Sequence, residues 1–223
     1  MATPVTNRIA EAISAERFAP YLAASGHCRE RALRLYAWNM EISGAILGPL
    51  HLLEVTLRNA MHRELTALAG RADWWHSPAV PLDVTSSEKI DAAKRTIAAL
   101  HMTPTPGRVI AELSFGFWTT LLSSRHAYEM RLWRPALHQA FPAYRGPRRP
   151  VHSDLYHLRR LRNRIAHHEP IHQRHLAADH SSILRLLGYI SPEAATWAAR
   201  NDRVPEVLAR RDDVCAGLAA TRF

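Results

Sequence analysis

A chain of 223 residues and 25.2 kDa, 47% of it hydrophobic, can bury one substantial core, so a single domain over 1–223 accounts for it. A formal net charge of +9 and an isoelectric point near 10.3 favour an acidic partner, nucleic acid ahead of an anionic membrane surface. Cys28 and Cys215 are the only cysteines, which excludes a disulfide framework and a thiolate metal cluster, and MATPVTNRIAEAI lacks the apolar core of a secretory signal, so a reducing, cytoplasmic setting is expected.

Apolar residues recur at helical spacing almost throughout and no run of alternating β-branched residues occurs, so the chain reads as all-α. Helices are expected over 5–24, 28–47 and 50–69, the last two parted at Gly48-Pro49. The longest apolar run, Ile42 to Val55, is broken by Pro49, His51 and Glu54, so no membrane span is expected. Glu54, Arg58 and Asn59 are polar on an otherwise apolar helix. The four-residue spacing of Glu54 and Arg58 suits a semi-buried pair bracing another helix, and a share in a cleft is the other reading. A loop from Gly70 to Val84 follows, with Trp74 and Trp75. Next come a helix over 86–101, opened by a capping box from Thr85 to Glu88, and one over 108–123, whose Phe115, Phe117 and Trp118 read as core aromatics. After a helix over 126–140, the segment Phe141 to Val151 reads as a basic loop. Arg145, Arg148 and Arg149 there could hold backbone phosphates, or be merely solvated. Helices over 153–168, 176–189 and 192–200, the last started by Ser191-Pro192, and a short one after Pro205 complete the chain.

The helix over 153–168 runs into LRNRIAHHEPI, residues Leu161 to Ile171. At about 100° per residue, Leu155, Leu158, Leu161 and Ile165 form one stripe that must face a core. Tyr156, Arg160, Asn163 and His167 gather on the opposite face. Arg162 falls about 140° from His167, at the edge of the apolar stripe, so a site using both must be composite. Arg162 and His167 make an R-x-x-x-x-H spacing, and composition alone yields about two of these by chance. Two occur, the other being Arg71 with His76 in the Gly70 to Val84 loop. Overlapping the first is His168 to His172, HEPIH, a formal zinc peptidase pattern that would need both histidines on one helical turn, which Pro170 opposes.

Three ordered blocks lift the first spacing above chance: YAWNMEISGAILGPLHLLEVTLRNAMH within 30–66, IAELSFGFWTTLL over 110–122, and the RN…AHHEP segment. Together they resemble the Abi-like (abortive infection) branch of the HEPN ribonuclease superfamily over about residues 30–190, with 191–223 as a C-terminal helical extension. The resemblance implies an all-helical HEPN-like bundle with additional helices. It also implies a homodimer pairing the Arg and His of two copies in one cleft, and a role in phage defence or as a restrained toxin. Arg162, Asn163 and His167 then carry the chemistry, with His168, Glu54, Arg58 and Asn59 in alternative or supporting roles, and Arg145, Arg148, Arg149, Tyr156 and Arg160 against RNA. Some relatives carry Tyr two residues after the catalytic His, the site of AMP addition; Glu169 stands there in this chain, which argues against that control and leaves an RNA or protein antitoxin open.

Histidine shuttles protons near neutral pH and arginine grips a phosphate by two points, so this set can cleave RNA through its own 2′-hydroxyl with no metal or cofactor. A catalytically inactive RNA-binding or dimerising scaffold is the alternative, and a zinc hydrolase through HEPIH the third.

Overall fold

The computed structural model describes residues 4–223, and among them every regular element is a helix. The elements are α1 (Pro4–Ile13), α2 (Ala15–Ala24), α3 (Arg29–Ala69), α4 (Val84–Ala99), α5 (Pro106–Glu112), α6 (Phe115–Leu121), α7 (Arg148–Ala166), α8 (Leu176–Ile190), α9 (Pro192–Asn201), α10 (Val204–Ala209) and α11 (Arg211–Ala216). They form two compact units interleaved in sequence, one of residues 4–51, 160–183 and 198–223, the other of 52–159 and 184–197.

In the first unit, α3 carries the contacts that fix the C-terminal helices. Trp38 donates its indole N–H to the Val207 carbonyl at 2.9 Å, and Arg210 meets the buried Glu41 carboxylate at 2.5 Å. Arg34 donates to the Cys215 carbonyl at 3.0 Å, and Arg211 lies over the Trp38 ring. In the second unit Trp74, Phe117 and Trp118 pack as a fully buried aromatic cluster, with the Trp74 indole donating to His62 at 3.0 Å. The SFGFW aromatics are therefore core, and Ser114 caps their helix by accepting from the Phe117 amide.

Several expected boundaries are corrected. The first helix is two, because Ser14 takes a left-handed φ of 79° and its hydroxyl accepts from the Arg17 amide. The break at Pro49 does not occur. Ile42, Ile46, Leu50, Leu53 and Leu57 continue one buried stripe across it, and that burial outweighs the roughly 3 kcal/mol an internal proline costs a helix. By length and composition α3 could cross a membrane, with a window of mean hydropathy 1.2 that is 44% buried. Helix α4 starts earlier than the Thr85 to Glu88 box, because Asp83 caps it by accepting from the Ser86 amide at 3.0 Å. The helix over 126–140 is instead a succession of short 3₁₀ and π turns, interrupted where His126 and Ala127 both take positive φ.

The basic loop is corrected most. Helix α7 begins at Arg148, which is 7% exposed, pairs with Glu129 at 2.5 Å and also donates to the Leu122 carbonyl. Its charge is spent inside the protein, so Arg148 is not a surface ligand for phosphate. Arg145 and Arg149 stay exposed.

Candidate active site at the C-terminal end of α7

The stripe Leu155, Leu158, Leu161 and Ile165 is buried as its spacing requires, and Tyr156, Arg160, Asn163 and His167 are exposed. After Ala166 the helix ends in a Schellman turn. The His168 amide donates to the Ile165 carbonyl at 3.0 Å and the Glu169 amide to the Arg164 carbonyl at 2.8 Å. The turn requires a left-handed residue, and His168, φ 56°, fills the place glycine usually takes. A non-glycine there costs roughly 1 kcal/mol, and strain of that kind collects at functional sites.

The surrounding chain holds this turn tightly. One terminal nitrogen of Arg17 donates to the His167 and His168 carbonyls, both at 2.9 Å, a cation at the negative end of the helix. Arg164 donates to the Pro170 carbonyl at 2.5 Å. From α3, the buried Asn39 accepts the Ile171 and His172 amides on its side-chain oxygen at 2.8 and 3.1 Å. Removing that oxygen leaves two buried amides without an acceptor, each worth about 1–3 kcal/mol. Asn39→Ala is therefore expected to lower the urea-unfolding free energy by about 3 kcal/mol, with Asn39→Asp retaining most of it; a loss under about 1 kcal/mol would show that the turn stands without α3.

A pocket of about 450 Å³ opens against this turn, lined by Arg162, His168 and Glu169 from the motif and by Tyr21, Tyr36, Asn39, Met40, Ser43 and Leu47 among others. Arg162 is half-buried in its wall. The structure thus brings Arg162 and His168 together, while Asn163 and His167 are not among the lining residues. Glu54, Arg58 and Asn59 belong to the other compact unit, where Arg58 donates to the Ala111 carbonyl at 3.3 Å. At the second R-x-x-x-x-H spacing, Asp73 holds Arg71 through two bonds at 2.6 and 2.7 Å, and His76 contacts Lys94.

The HEPIH segment is not a helical turn, since the chain leaves the helix before Glu169 and the segment to Ile171 is non-helical. His172 turns inward, 2% exposed, against the Tyr21 ring at 4.9 Å. The other carboxylate and imidazoles nearby are engaged, Asp179 by Arg174, His180 by Asp202 and His175 by the Ala178 amide. Among the described residues no group of three or more His, Cys, Asp or Glu could hold a metal ion.

Burial, then Arg211 and Arg164, pushes the His172 imidazole below its ordinary 6.5, and burial pushes His62 and, with Arg148 and Arg159, His152 the same way. On acidification the unfolded chain takes up these protons first, so the stability present above 6.5 falls as the pH drops toward the folded values. The thermal midpoint is expected to decrease from about pH 7.5 to about 5.5, less steeply in His172→Phe; equal slopes for the two proteins would contradict the burial argument.

Arg17, Tyr36 and Asn39 escaped the sequence reading. Only Asn39 left a signal there, as an amide inside an apolar helical stretch, where a polar side chain must find partners. Comparison with known family models, curated proteins and solved structures finds no match.

Proposed function

We propose that this chain is a metal-independent endoribonuclease of the HEPN type, working as a cytoplasmic homodimer in phage defence by abortive infection or as a toxin held by an RNA or protein antitoxin. One observation supports the reading above the rest: a guanidinium and an imidazole, Arg162 and His168, line a single pocket against a strained helix end. Neutral His168 takes the proton of a ribose 2′-hydroxyl, whose oxygen attacks the adjacent phosphorus. The bond from phosphorus to the 5′-oxygen breaks, and that oxygen receives a proton from the imidazolium of the second copy. Arg162 holds the two non-bridging oxygens as charge builds on them. The products are a 2′,3′-cyclic phosphate and a 5′-hydroxyl end, and DNA, without the attacking hydroxyl, is not a substrate. Exposed Arg145, Arg149, Tyr156 and Arg160 contribute to binding the strand.

Cellular RNA incubated with the purified protein in EDTA tests this. Cleavage under chelation supports the nuclease. Binding without cleavage would make the chain an inactive RNA-binding scaffold, and cleavage abolished by EDTA would make it a metal-dependent hydrolase.

A further inference from the structure

A second pocket lies wholly within the unit of residues 52–159 and 184–197. It holds about 160 Å³, and its lining includes Thr120, Ser123, Arg125, His152, Tyr156 and Arg159 and no carboxylate. Neither Arg125 nor Arg159 has a carboxylate partner among the described residues. Arg159 is held by its stem instead, packed where a Cβ on Gly116 would stand 3.4 Å from its Cδ, with its guanidinium 5.5 Å from the Tyr156 ring centre.

The charged groups of this pocket are donors only. Two guanidiniums offer planar forks, and the buried Ser123 hydroxyl accepts from the Arg125 amide at 3.3 Å and keeps its own proton to give, while Thr119 and Thr120 spend their hydroxyl protons on the Phe115 and Gly116 carbonyls. His152 is half-buried beside them, driven toward its neutral form by burial and then by Arg148 and Arg159, which marks the local field as positive. Arg159 is half-buried and Arg125 exposed, so the two like charges meet at the mouth of the recess, where both attract a counter-ion. An anion with several acceptor oxygens is what completes this set.

Size narrows the anion. A space of about 160 Å³ amounts to roughly five waters and admits one phosphoryl group, not a whole nucleotide. The rest of the ligand must lie outside, where the ring of Tyr156, 40% exposed, offers a stacking face. A terminal phosphate enters such a recess with all its oxygens, whereas a phosphodiester in mid-strand has chain leaving on both sides. We propose that this pocket binds a phosphate monoester, the 5′-phosphate that ends a single-stranded RNA, with its first base stacked on Tyr156. The site is separate from the pocket of Arg162 and His168, and it binds whether or not the chain cuts RNA.

The test uses the full chain and labelled single-stranded oligomers of 2′-O-methyl ribonucleotides, which have no free 2′-hydroxyl and are not cleaved. Fluorescence anisotropy at one salt concentration compares the 5′-phosphorylated and 5′-hydroxyl forms, with AMP and inorganic phosphate as competitors. The phosphorylated strand is expected to bind about ten-fold more tightly, with the preference lost in Arg159→Gln and in Arg125→Gln and the 5′-hydroxyl strand little affected. AMP competing as strongly as the phosphorylated strand would assign the same phosphate site to a free mononucleotide. Equal affinity of wild type for the two strands, with no competition by AMP, would overturn the proposal without touching the nuclease reading.

Discussion

Arg162→Ala is expected to lower the rate of RNA cleavage by about 10²- to 10³-fold while the protein stays folded, the loss that follows removal of one group binding the transition-state oxyanion. The side chain lines the pocket wall, half-buried, three residues before the buried Ile165. Lysine keeps the charge but offers one ammonium where two parallel N–H groups are needed, so Arg162→Lys should restore only part of the rate. The comparison is made on single-turnover rates, with far-ultraviolet circular dichroism as the check on folding. An alanine variant retaining more than about a fifth of the wild-type rate would remove Arg162 from the chemistry.

The second large effect separates stability from activity at one position. His168 occupies a left-handed place in the Schellman turn, where glycine is the favoured residue. His168→Gly therefore keeps the backbone and loses only the imidazole. Its unfolding free energy should be unchanged or higher by up to about 1 kcal/mol, while cleavage falls by about 10²- to 10⁴-fold with the general base removed. His167→Ala, whose ring is exposed and outside the pocket lining, should lose much less. If His167→Ala abolished cleavage and His168→Gly left it intact, the imidazole assignment would pass to His167, the histidine that the R-x-x-x-x-H spacing names.

The choice between these neighbours shows where sequence stops being legible. A straight helix drawn through residue 168 puts His167 with Asn163 on the polar face and leaves His168 as its alternative, with nothing to place it first. The chain instead turns at Ala166, and the left-handed step at His168 brings that residue to the wall that Arg162 lines. Nothing in AHHEP announces the turn except Pro170, which tells that a helix must end but not how the last residues aim. The apolar stripe of α7 was legible because burial dictates its period, and Leu155, Leu158 and Leu161 are fully buried.

Long-range partners were the illegible part. Arg148 read as a loop cation because three prolines surround it, yet Glu129, 19 residues away, draws it inside. Pro49 read as a break because local propensity forbids it, and a buried stripe on both sides overrode that preference. Arg17 and Asn39 anchor the motif turn from 150 and 132 residues away, and neither separation leaves a mark in sequence.

The chemistry of the cut ends tests the central claim most directly. RNA cleaved by the wild-type protein in EDTA is resolved by mass spectrometry, beside a substrate carrying a single 2′-deoxy residue at the cleaved position. The account predicts 2′,3′-cyclic phosphate and 5′-hydroxyl ends, and no cleavage at the deoxy position. Linear 3′-hydroxyl and 5′-phosphate ends, or undiminished cleavage at the deoxy position, would contradict it.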